Sequence, residues 1–188
     1  MTLSEAKNIL NQWVSNPNLR KHMWGVGAAM RWYASFFGLD EREQDRWETA
    51  GILHDLDWEK YPIVSAQGHP YVAVAFLKER GLDEESCQAI LAHASHTREP
   101  RETLMAKTLF AVDELAGFIV AVALIKPEKK LSAVDTASVS KRLKEKRFAA
   151  NVNRDEITQG AAALGVPLEE HIAHVIAGMR AKETDLGL

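Results

Sequence analysis

"GILHDLDWEK", residues Gly51 to Lys60, places an imidazole and two carboxylates directly behind an apolar run. A charged group withdrawn from water without a partner costs several kcal/mol or neutralises itself, so His54 and Asp55 call for partners or a cation. Upstream of them, Trp47, Ala50, Gly51 and His54 share one side of a helical repeat, while Ile52, Leu53 and Leu56 cover the others. This spacing predicts a helix over Glu41 to Leu56 that is apolar nearly all round and therefore central. The small pair Ala50 and Gly51 lets a neighbouring helix come close. His54 and Asp55 then sit at its C-terminal end, about 100° apart around the axis, where one ligand lying between them is within reach of both.

The same three-and-four spacing dominates the rest of the chain, and runs of alternating β-branched residues are absent. The fold is expected to be all-α. Further helices are expected over Ser4 to Val14, Leu19 to Phe37, Pro70 to Arg80, Asp83 to His93, Arg101 to Ile125, Ala137 to Lys146, Asp155 to Leu164 and Leu168 to Ala181. Gly38 and Gly81 suit left-handed stops, Asp83 suits an N-cap, and Pro70 at a first helical position leaves His69 at the cap. The stretches 61–68 and 126–135 read as loops.

Composition narrows the function. At 188 residues and 46% hydrophobic, the chain is long enough to bury about two-thirds of its unfolded surface. One domain over 1–188 is expected, with a core at about 19–126 and a more polar helical extension at about 132–188. A net charge of −3 argues against broad attraction to nucleic acid or to an anionic membrane. The longest apolar stretch, Leu115 to Ile125, is too short for a membrane span, which needs about 20 residues. The single cysteine, Cys87, and a start without a secretory pattern point to a reducing, cytoplasmic setting.

A second buried acid repeats the first puzzle. Asp113 lies within "LFAVDELAGFIVAVALI", Leu109 to Ile125, and Gly117 one turn on keeps the space beside it open. His22 lies near the start of another helix, whose Val26, Ala29, Met30 and Tyr33 form an apolar stripe. His22, His54, Asp55 and Asp113 together are a four-ligand set for a divalent ion of intermediate hardness, and the two carboxylates balance its charge.

His22, the adjacent His54 and Asp55, and Asp113, separated by 32 and 58 residues, resemble the H…HD…D signature of the HD superfamily of metal-dependent phosphohydrolases. The longer stretches "LHDLDWEKYP", "HASHTREPRETLMAKTLFAVDELAGFIVAVALIKP" and "KRFAANVNRDEI" are similar to a small bacterial branch of predicted HD hydrolases, over roughly residues 20 to 180. The resemblance implies an HD-type helical bundle with additional C-terminal helices. It also implies a cofactor of one or two divalent ions (Mn, Fe, Ni, Co, Zn or Mg) and a small phosphorylated substrate. Binuclear members interpose two histidines, for which His69 and His93 are the matching positions. Asp55 would then bridge, with His22, His54 and Asp113 on one ion and His69 and His93 on the other. His96 is the substitute for His93 or a supporting group.

Leu56 and Asp57 follow the HD pair, and no Gly-Tyr-Pro occurs, which disfavours cyclic dinucleotides. Asp55 is the expected catalytic residue, bridging the ions and accepting a hydrogen bond from the attacking water. The competing readings are an HD-type di-iron oxygenase and a non-catalytic ligand-binding HD module. Asp57 either caps a helix or orients a ligand. His171 and His174 match nothing in the family pattern and read as solvated groups on the last helix. The basic run "KRLKEKR", 141–147, reads as a solvated face, with an anion site as the alternative. The oligomeric state stays open.

Overall fold

The computed structural model describes residues 1–63 and 67–187; positions 64–66 of the expected loop lie outside the described residues. Ten α-helices follow in order: α1 (Leu3–Trp13), α2 (Pro17–Phe36), α3 (Glu41–Leu53), α4 (Tyr71–Lys78), α5 (Glu84–His93), α6 (Leu104–Leu124), α7 (Thr136–Leu143), α8 (Arg154–Leu164), α9 (Leu168–Arg180) and α10 (Glu183–Leu186). The described residues contain no strand, so the all-α expectation holds. Short 3-10 turns at Ser95–Thr97 and Leu131–Ala133, and the short α10, were not among the expected elements.

Local chemistry accounts for most helix starts. Thr2 and Glu5 form a reciprocal capping box on α1, and Asn16 accepts from the amides of Asn18 and Leu19 with Pro17 at the first position of α2. Asp40, Asp83 and Thr103 cap α3, α5 and α6, each filling one of the amides that a helix start leaves unpaired. Among the described residues no helix is long and apolar enough to cross a membrane.

Two close helix contacts position the functional side chains. A Cβ on Gly51 of α3 would fall 2.7 Å from Gly27 Cα on α2, so the two backbones touch. That contact, one turn before His54, brings α2 and its His22 alongside. A Cβ on Gly160 of α8 would fall 2.4 Å from Ala111 Cα, which presses α8 onto the middle of α6 and places Glu156 near Asp113 and Glu114. α6 itself runs through the core between α2, α5, α8 and α9.

Helix α3 stops at Leu53, three residues before its expected end. The Gly51 carbonyl accepts from the His54 ring, at 2.7 Å, and the chain tightens into turns with Leu56 N donating to Leu53 O and Trp58 N to Asp55 O. Asp55 and Asp57 therefore leave a series of turns and not a helix face.

The reading of His171 and His174 as solvated groups is overturned. His171 is completely buried; its Nδ1 meets the Tyr33 hydroxyl at 2.5 Å and its Nε2 the Ala111 carbonyl at 2.9 Å. His174 packs against Trp32, with ring centroids 4.3 Å apart. The helical repeat of α9 shows which residues share a face, but the partner face on α2 is far off in sequence.

Burial pushes the His171 imidazole down to about 4, so the folded chain holds it neutral. Between that value and the ordinary 6.5 the unfolded chain binds the extra proton. Stability from this group is thus full above pH 6.5 and falls as pH drops toward 4. Between pH 7 and pH 5, wild type should lose about 2 kcal/mol more stability than His171→Gln. Urea unfolding of both proteins at the two pH values, with chelator present, checks this; equal losses would contradict it.

Candidate metal centre

The four side chains singled out by the sequence converge. His22 Nε2, from α2, lies 3.2 Å from His54 Nε2 and 3.0 Å from Asp113 Oδ1, which projects from the middle of α6. His54 Nε2 is 3.3 Å from the same Asp113 oxygen, and Asp55 Oδ2 stands 3.6 Å from His22 and 3.5 Å from His54. Donors at about 2.0 to 2.1 Å from a tetrahedral ion are separated by about 3.3 to 3.4 Å, so these spacings fit a shared cation. Gly117 leaves the room: a Cβ there would come within 3.4 Å of His22 Nδ1.

A second group faces the other oxygen of Asp55. His69 Nε2 lies 3.5 Å and His93 Nε2 3.7 Å from Asp55 Oδ1, with their rings 5.1 Å apart. The two carboxylate oxygens of one aspartate thus address two histidine pairs. His22, His54 and Asp113, and separately His54, Asp55 and His93, each present ligand atoms close enough to hold one ion.

The rings are aimed by their far nitrogens. His54 Nδ1 faces the Gly51 carbonyl, His93 Nδ1 the Ile90 carbonyl at 2.5 Å, and His69 Nδ1 the Asp57 carboxylate at 2.8 Å. Each of these partners is an acceptor, so each Nδ1 donates and the inward Nε2 is left to offer a lone pair to a cation. Without a cation the charges compensate differently. Burial opposes charge on His54, but Asp55 and Asp113 outweigh it and hold the imidazole well above its ordinary value. Against the same burial, His54 holds Asp55 and Asp113 far below the usual carboxylate range. The set therefore demands positive charge at its centre and fits a divalent ion, one that displaces the proton.

His69 does not cap α4. Pro70 takes that position, and the Ala73 amide instead donates to Asp57 Oδ2 at 2.7 Å, which frees the His69 ring to turn inward. Asp57, fully buried, does both things expected of it: it caps α4 and orients His69. His96 points elsewhere, its Nε2 donating to the His69 carbonyl at 3.0 Å. Asp57→Asn should lower metal affinity by about 10- to 100-fold, because its amide presents a donor where the His69 ring needs an acceptor. Competition with a fluorescent chelator measures it; unchanged affinity would separate Asp57 from the centre.

His22, Asp55, His69, His93 and Asp113 line a cavity of about 280 Å³, shared with Trp58, Ala94, Ser95, His96, Glu114, Gly117 and Glu156, while His54 is fully buried and outside the lining. Glu114 and Glu156 are not among the residues singled out from the sequence. Burial, then the neighbouring charge of Asp113, pushes the Glu114 carboxyl up to about 7. The cue lay in "VDEL": adjacent helix positions differ by about 100°, so both can border one broad cavity. The basic run does not reach it. Lys141 and Arg142 line a separate groove with Val122 and Ile125, and no lysine or arginine lines this cavity among the described residues.

A family model for the HD domain matches residues 19–117, from the start of α2 to Gly117 of α6. No curated protein and no solved structure matches the chain. The match spans more than half the sequence and includes all six converging residues, His22, His54, Asp55, His69, His93 and Asp113. The chain belongs to the HD domain family, whose members bind divalent metals.

Proposed function

We propose that the protein is a metal-dependent phosphohydrolase acting on a small phosphoester. One observation carries the reading: the two oxygens of Asp55 face two separate histidine pairs inside a solvent-connected cavity. His22, His54 and Asp113 would hold one ion and His69 and His93 the other, with Asp55 between them. Bound divalent ions supply a water acidic enough to yield hydroxide near neutral pH and offset charge developing on the phosphoryl oxygens.

The chain's own groups do the rest. Asp55, partly exposed toward the cavity, accepts a hydrogen bond from the attacking water and orients it. Asp57 keeps His69 in one tautomer, and the Gly51 and Ile90 carbonyls do the same for His54 and His93. A panel of nucleotides and phosphomonoesters, assayed with Mn, Ni, Co and Mg, tests the proposal. Metal-dependent phosphate release supports it, and a metal-loaded protein inert to every phosphoester contradicts it.

The cavity favours one competing reading through a specific feature: five metal-type donor residues line it, with no lysine or arginine among the described lining residues to receive a phosphate. The same donors suit a di-iron oxygenase. Iron content and oxygen consumption of anaerobically purified protein separate the two.

A further inference from the structure

His22, Asp55, His69, His93 and Asp113 form the floor of the cavity, and its mouth is built from different chemistry. Trp58, Ser95 and His96 are exposed there, while Glu114 of α6 and Glu156 of α8 are half-buried side by side with the floor. Glu114 Oε2 accepts from the Asn153 amide at 3.1 Å, and Glu156 Oε1 from the Ser95 hydroxyl at 2.8 Å. The second oxygen of each carboxylate has no protein partner among the described residues. Arg101 donates to the same Ser95 hydroxyl, at 3.0 Å, close enough for its charge to act on Glu156, but it does not line the cavity.

Two independent features thus meet in one cavity. A floor of cation-holding donors calls for an anionic group on the substrate, and a mouth with two carboxylates and no lysine or arginine among the described lining residues repels a second one. A di- or triphosphate extending from the floor would set its outer charges against Glu156 and, above pH 7, against Glu114, with no lysine or arginine among the described lining residues to receive them. A leaving group bearing an ammonium would find two carboxylate oxygens, with Trp58 as a further aromatic lining residue.

We propose that Glu114 and Glu156 are specificity-determining residues that select the monophosphate of a small amino alcohol and reject polyphosphates. The proposal deepens the phosphoester reading and rests on it. The close packing of Gly160 against Ala111 is what fixes the two glutamates together, since it locks α8 to α6 one turn from Glu156.

The test is calorimetric binding at pH 8, above the value of about 7 for Glu114, of 3-aminopropylphosphonate and of butylphosphonate, equal in length and differing in the terminal ammonium, to the full Mn-loaded protein. The amino compound should bind at least about tenfold more tightly. Glu156→Gln should shrink that ratio, and Glu114→Gln with Glu156→Gln together should bring it to within about threefold of unity. A wild-type ratio near one, or a ratio that survives the double substitution, overturns the assignment. Absence of binding by both phosphonates overturns it as well. Turnover of p-nitrophenyl phosphate by the same preparation tells this failure from failure of the hydrolase reading: turnover with a ratio of one removes only the role of the mouth. A retained, glutamate-dependent ratio without turnover removes hydrolysis and leaves the selectivity standing.

Discussion

Asp55→Ala will abolish metal-dependent phosphoester turnover, lowering kcat by at least about 10³-fold, and will reduce the number of ions that the protein retains. The size follows from what the side chain does in the proposed arrangement. Its Oδ2 stands beside His22 and His54 and its Oδ1 beside His69 and His93, so one truncation removes a donor from both ion positions. It also removes the acceptor that orients the attacking water. Loss of one preorganised electrostatic group alone costs about 10²- to 10³-fold, and groups acting as a unit fail together. Steady-state kinetics with equilibrium dialysis of Mn measures both effects. An alanine variant with wild-type turnover and two retained ions would sink the bridging role.

Much of this centre was legible in the sequence, for a physical reason. His22, His54 and Asp113 each sit within helical, largely apolar surroundings, and polar groups so placed demand partners; helical spacing then says roughly where each projects. The limits are equally physical. Helix α3 ends at Leu53 because the His54 ring occupies the Gly51 carbonyl, a competition between side chain and backbone that periodicity does not record. The burial of His171 depends on Tyr33, far away in the chain, and no pattern within α9 announces it. Glu156 reaches the cavity only because Gly160 lets α8 lie against α6, a tertiary contact invisible in local sequence. The basic run 141–147 was conspicuous in composition, yet its Lys141 and Arg142 face a different groove.

Removing the metal will cost the protein a large part of its stability. Stripped of cations, the centre keeps two carboxylates and four imidazoles at 3.0 to 3.7 Å, a set that compensates itself only by taking up protons. A ligand that binds only the folded chain at a thousand times its Kd adds about 4 kcal/mol. For a domain of this size, that corresponds to a rise in Tm of roughly 8 to 16 °C. Scanning calorimetry of chelated and Mn-saturated protein reads the shift directly. Asp113→Ala, which takes away the carboxylate shared by His22 and His54, should remove most of the Mn-dependent rise. A chelated protein that melts at the same temperature as the Mn-saturated one would leave the centre without an energetic role.

The most direct measurement is an anomalous-difference map from crystals of the Mn-loaded protein. The account predicts one peak within about 2.0 to 2.4 Å of His54 Nε2 and Asp113 Oδ1, and a second beside His69 and His93, with Asp55 touching both. Peaks elsewhere on the surface, with this cluster bare, would contradict it.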